Sequence, residues 1–218
     1  MLHDPALVLV SFLAVGILMW LARVVGASDR IAPSTLRKAL HALIGAWTVV
    51  VTPRFHHLAW ALVPPVVFLA LNASPKVRDL MPRLATGGRK TQGLWTFPLG
   101  VALVYLSFWE ESPRPAILAG LAVLALADPV AAIVGSRYGQ RRFQGFGDGR
   151  SLEGSAAFFV TAALAVGTLA SLAGGGAFPW RMGVGCGAAG AVSEAISPSG
   201  WDNLTIPLAV AAVYRMLA

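Results

Sequence analysis

Residues 115–135 read PAILAGLAVLALADPVAAIVG, a run long enough to cross a bilayer whose single charge is Asp128. About 20 predominantly apolar residues span the hydrocarbon core as a helix. A charged aspartate at that depth costs on the order of 3 kcal/mol, so such a residue is kept because it holds an ion, a proton or a partner charge. The stretch therefore predicts a membrane helix and a site on it.

The rest of the chain repeats the apolar pattern. Comparable runs occupy about Pro5–Ala22, Ala39–Thr52, His56–Leu71, Gly93–Trp109, Gly154–Ala173, Phe178–Ile196 and Asn203–Leu217. The expectation is an all-α, polytopic membrane bundle of about seven to eight transmembrane helices. Residues 1–218 form one transmembrane domain, because no loop is long enough to build a soluble core. Composition agrees: 56% of the 218 residues are hydrophobic and 12% charged, about half the charge of a soluble domain. Such a chain is not disordered. The first run lacks a basic flank on its N-terminal side, so it reads as a retained span and not a cleaved signal. The lone Cys186 excludes an internal disulfide and reads as a small apolar filler.

Charge orients the bundle. If every run crosses, 13 of the 17 Lys and Arg residues fall in the loops on one side and 4 on the other. The positive-inside rule places the richer side in the cytoplasm. The formal net charge of +7 then suggests anionic partners such as lipid headgroups or phosphates. It is too diffuse for nucleic acid.

The polar residues that need explaining gather on that side. Arg37, Lys38 and His41 lie within one helical turn and can converge on an anion. A basic flank that only sets topology reads the same way. Asp128 precedes Pro129, which removes a backbone donor beside it, while Gly135 and Gly139 permit close approach and Arg137 adds a cation. A structural ion pair of Asp128 with Arg37 or Arg137 is the alternative. Arg150, Ser151 and Gly154 open the sixth run with donors suited to phosphate oxygens, or form a capped turn. Glu194, Asp202 and Asn203 supply oxygens suited to Mg²⁺, with Asp202 also able to cap the last helix. The glycine pattern at 185–190 formally matches a dinucleotide fingerprint but reads as small-residue helix packing. His56-His57 and Glu110-Glu111 fall on the opposite side, the first pair an improbable metal site and the second a solvated turn.

Cations and carboxylates at a membrane surface are the parts phosphoryl transfer uses. At these residues the chain resembles the membrane-embedded lipid-alcohol kinases, which include phytol kinase, dolichol kinase and the CTP-dependent diacylglycerol kinase. The matching elements are Arg37-Lys38-x-x-His41, Ala127-Asp128-Pro129 through Gly135 to Gly139, Arg150-Ser151-x-x-Gly154-Ser155, and Glu194 with Asp202-Asn203-Leu204-Thr205-x-Pro207-Leu208. With the weaker Arg89-Lys90-x-x-Gly93 they run from residue 37 to 208. The resemblance implies transfer of a γ-phosphate, from CTP or ATP, to a lipid alcohol. It implies that Arg37, Lys38, Asp128 and Gly135 are essential, with Asp128 holding a metal or accepting the hydroxyl proton and the two cations binding phosphates. Arg150 stands where the family usually has Lys, which leaves nucleotide preference open. The compact chain points to the phytol-kinase-like end of the family. A cytidylyltransferase making a CDP-lipid is a rival enzyme, and an ion-coupled transporter with Asp128 in its path is a rival of another class. A homodimer through the glycine-rich seventh run is compatible with the sequence.

Overall fold

The computed structural model describes residues 3–27, 32–74, 92–110, 114–143, 149–174 and 176–218. Each apolar run forms a helix: α1 (Asp4–Gly26), α2 (Pro33–Val51), α3 (Leu58–Ala73), α4 (Gly93–Phe108), α5 (Pro115–Tyr138), α6 (Leu152–Gly174), α7 (Trp180–Ile196) and α8 (Asp202–Leu217). Helices α1, α5 and α6 are long and apolar enough to cross a membrane, and α3 and α4 are shorter apolar helices. The chain is an all-α membrane protein.

Two details depart from the sequence reading. Helix α2 begins at Pro33, well before its apolar run at Ala39. Proline is tolerated in a first turn, whose N–H groups have no helical partner, and the long stems of Arg37 and Lys38 carry the helix beyond its apolar part. The α5–α6 connection contains a minimal antiparallel pair, Arg142–Phe143 with Arg150–Ser151. Its backbone groups, released where α5 ends, bond each other.

Helix α5 is the axis of the bundle. It packs on α6, α8 and α2, and more than half of its apolar window is buried in protein. One core cluster joins α5 to α6, α7 and α8 around Phe158, Val166, Ile206 and Val210. The other joins α5 to α1, α3 and α4 around Phe55, Val104 and Tyr105. Asp128 thus lies within the apolar length of α5 and against protein, which removes most of the cost of exposing it to lipid. Helix α7 lies close on α6 because its contact positions are glycine: a Cβ at Gly183 would stand 2.6 Å from the Ala163 carbonyl oxygen. Cys186 is buried on α7 with its thiol 3.8 Å from the Val210 carbonyl of α8, and Gly187 and Gly190 lie close on Ala163 and Phe158 of α6. That packing accounts for the glycine pattern at 185–190.

The buried polar groups separate into two ends. At one end Asp4, at the start of α1, holds His56 and His57, just ahead of α3. At the other end stand the start of α2, the end of α5 and the starts of α6 and α8. Of the basic residues counted above, Arg30, Lys76, Arg78, Arg83, Arg89 and Lys90 lie outside the described residues.

Candidate active site

Helix α2 packs on α1 and α5, and α4 packs on α3 and α8. The space left between α2 and α4 is a cavity of about 450 Å³. Arg37, Lys38 and His41 from one face of α2, Asp128 from α5, and Asp202 and Asn203 from α8 all line it. Three separate sequence elements thus meet at its mouth. Asp128 feels the opposite charges of Lys38 and Arg150 and the like charge of Glu194. Asp202 feels the like charge of Asp128 as well. Two carboxylates facing one space repel unless a cation lies between them.

His41 bonds the Leu124 backbone of α5, and its ring meets Phe97 edge-on at 4.8 Å. Its buried Nε2 has no hydrogen-bond partner among the described residues. His41 thus lines the cavity while its Nε2 lies buried without an internal hydrogen bond.

Arg150 is the hub behind this wall. Its guanidinium pairs with the Glu194 carboxylate, lies 3.6 Å from Asp202 Oδ2, and donates to the Ser197 carbonyl at 3.2 Å. Ser155 Oγ donates to Glu194 Oε2 at 3.3 Å. Arg150 and Glu194 are nearly buried, with side-chain exposures of 13% and 10%. The planar fork of arginine suits this multiple role, which a lysine ammonium would fill less well. Asp202 Oδ1 also accepts the Asn203 N–H at 3.0 Å, and Asn203 Nδ2 donates to Thr96 Oγ1 at 3.3 Å.

Gly135, Gly139, Ser151 and Gly154 face one another where α5 ends and α6 begins. A Cβ at Gly139 would collide with the Gly135 carbonyl and lie 2.7 Å from Ser151 Oγ. A Cβ at Gly154 would lie 3.0 Å from the Ala131 carbonyl. Ser151 Oγ accepts the Gly154 N–H at 3.1 Å and so caps α6. These four residues make the tight junction next to Arg150, and none of them lines the cavity. Arg137 is exposed on the last turn of α5, away from the lining.

The donor set can be tested against a magnesium ion. Mg²⁺ is usually held by one or two carboxylates together with substrate phosphates. Asp128, Asp202 and Asn203 on one wall fit that pattern. Among the described residues no three His, Cys, Asp or Glu side chains gather into a protein-only cage. Glu194 is taken by Arg150 and Ser155.

Several contributors were not legible in the sequence. Asn72 Nδ2 donates at 2.7 Å to the Leu94 carbonyl, which Pro98 leaves without its helical donor. Thr96 and Phe97 reach the site from α4. Pro98 inside an apolar run was the one available signal of an opened helix.

Acids, cations and an imidazole with one unpartnered nitrogen thus gather at the charged end of an apolar cavity in a helical bundle. No family model matches the chain, and no solved structure matches it. It is similar to a phytol kinase of Synechocystis sp., with 32% identity over 186 residues, covering 81% of this chain and 76% of that protein. The chain belongs to the lipid-alcohol kinase family.

Proposed function

We propose that this protein transfers the γ-phosphate of a nucleoside triphosphate, CTP first among candidates, to the terminal hydroxyl of phytol or a similar isoprenoid alcohol. The observation that carries the reading is the single cavity lined by Arg37, Lys38, Asp128 and Asp202 at its mouth and by apolar side chains beyond. The relative at 32% identity bears the name phytol kinase, which favours that alcohol over dolichol or diacylglycerol. All eight helices cross the bilayer in this reading, with the basic end in the cytoplasm.

The hydroxyl oxygen attacks the γ-phosphorus, the bond from that phosphorus to the bridging oxygen breaks, and the nucleoside diphosphate leaves. Asp128 accepts the hydroxyl proton. Arg37 and Lys38 neutralise the triphosphate as charge moves to the leaving group. Asp128, Asp202 and Asn203 would hold magnesium, which when bound supplies further neutralisation of the phosphate oxygens. Arg150, fixed by Glu194, keeps Asp202 in place, and the junction of Gly135, Gly139, Ser151 and Gly154 fixes Arg150 in turn. His41 lies where it can bond substrate, and Arg137 meets phosphates from outside the cavity. A homodimer is compatible with this mechanism and not required by it.

The test is transfer of label from γ-labelled CTP or ATP to phytol, a polyprenol or diacylglycerol in mixed micelles. Labelled phytyl phosphate, lost with EDTA and in Asp128→Asn, is the expected result. Pyrophosphate release with a CDP-lipid product would replace this reading by the cytidylyltransferase one.

A further inference from the structure

The cavity does not end at its charged mouth. Its α2 wall runs from Arg37 through Ile44 and Thr48 to Val51, which at 1.5 Å per residue is about 21 Å along the helix axis. Its floor is closed by Phe55 and Tyr105, each only 2% exposed. Tyr105 Oη and Thr52 Oγ1 are hydrogen-bonded at 2.6 Å, so the ring that blocks the far end is itself tied down. Below that floor Asp4 pins α1 to residues 56 and 57. The side walls include Pro64, Pro65 and Pro98, rings on α3 and α4 that cannot swing aside as long flexible side chains would.

We infer that this apolar arm measures its substrate: it takes one hydrocarbon chain end-on, hydroxyl at the mouth, and its floor sets the longest chain that fits. The inference rests on the kinase reading and narrows it. A volume of about 450 Å³ lies in the range, roughly 300–1,000 Å³, of sites that enclose a single small ligand. One leaflet of hydrocarbon is about 15 Å deep, so an arm of about 21 Å accommodates one chain of leaflet length. The second chain of a diacylglycerol, and the remainder of a long polyprenol, have no room in it. Burial of each methylene favours binding, so each carbon added short of the floor strengthens it and each carbon beyond it does not.

The experiment compares kcat/KM for geraniol, farnesol, phytol and a polyprenol of about fifty carbons, with native mass spectrometry counting alcohol bound to the detergent-solubilised protein. Wild type is expected to rise along the first three and to fall at least tenfold for the polyprenol. Ala61, buried on the wall near the floor, becomes a plug in Ala61→Phe, and Thr48→Phe places a plug nearer the mouth. The first should move the optimum to farnesol and the second to geraniol. Leu13→Phe, on the exposed side of α1, should keep the wild-type order and controls for added bulk. Because each reading is a ratio between alcohols on one preparation, partial loss of folded protein cancels. Equal rates on phytol and the polyprenol, or plugs that lower all alcohols alike, would overturn the inference and leave the kinase intact. One bound phytol, displaced by the plugs, with no phosphoryl transfer to any alcohol would uphold the arm and sink the kinase reading.

Discussion

The two ends of this bundle both bury charge, and they bury it differently. At the far end both oxygens of Asp4 are used: Oδ1 accepts the His56 N–H at 2.9 Å and Oδ2 the His57 N–H at 3.0 Å, with both imidazole Nδ1 atoms alongside at 3.2 and 2.8 Å. Arg114 there is held by stacking on Trp109, its guanidinium carbon 3.9 Å from the ring centroid, although its buried Nε and Nη1 have no hydrogen-bond partner among the described residues. At the charged end Asp128, Asp202 and His41 line a cavity instead. Buried polar groups satisfied by their own chain hold a fold together, whereas those turned toward empty space await a ligand. The depth of an acid in the sequence does not distinguish the two cases; its surroundings do.

That contrast can be broken most severely at Asp128. Asp128→Asn removes the proposed proton acceptor and a charge facing the nucleotide, and transfer is expected to fall by about 10³-fold. The helical circular dichroism and unfolding temperature should hold; a variant that unfolds instead would move Asp128 to the structural class. Glu194→Gln is the next largest. It leaves Arg150 buried without its charged partner, a loss of about 3 kcal/mol read as a lower unfolding temperature, with transfer reduced by an order of magnitude or more. Asp4→Asn should reverse the pattern. Charge-assisted hydrogen bonds contribute about 1.5–3 kcal/mol, so stability should drop by roughly 2 kcal/mol while kcat stays within about twofold. A large fall in kcat at unchanged stability would erase the distinction between the ends. Arg114→Lys gives the smallest effect, about 1 kcal/mol of stability from a weaker contact with Trp109, measured by thermal unfolding in micelles.

The helices were legible because each apolar run is local and bounded by charge, proline or glycine. Their order and the crowding of cations at one end followed from the same pattern. Glu110, read as part of a solvated turn, instead pairs with Arg215 at 3.3 Å, a contact between residues more than a hundred apart in the chain. His56 and His57 stand at the end away from Arg37 and Arg150, and nothing local announces that they hold Asp4. The charged elements around Arg37, Asp128 and Asp202 could each be named from sequence, yet their convergence depends on α2 and α4 standing apart. The Arg150–Glu194 pair hid in the same way, since each residue had a sufficient local explanation as a loop cation or a boundary acid. Distance along the chain, more than residue type, set the limit.

The Asp4 clasp also carries a clock. Asp4 leaves the ribosome ahead of its partners, which follow 52 and 53 residues later. Until they emerge, the opening helix holds an acid with no permanent home, and it can take its final seat only when the third helix arrives. Helix α1 is therefore seated only after α3 has been made, and the floor beneath the cavity closes as a consequence of synthesis having moved on.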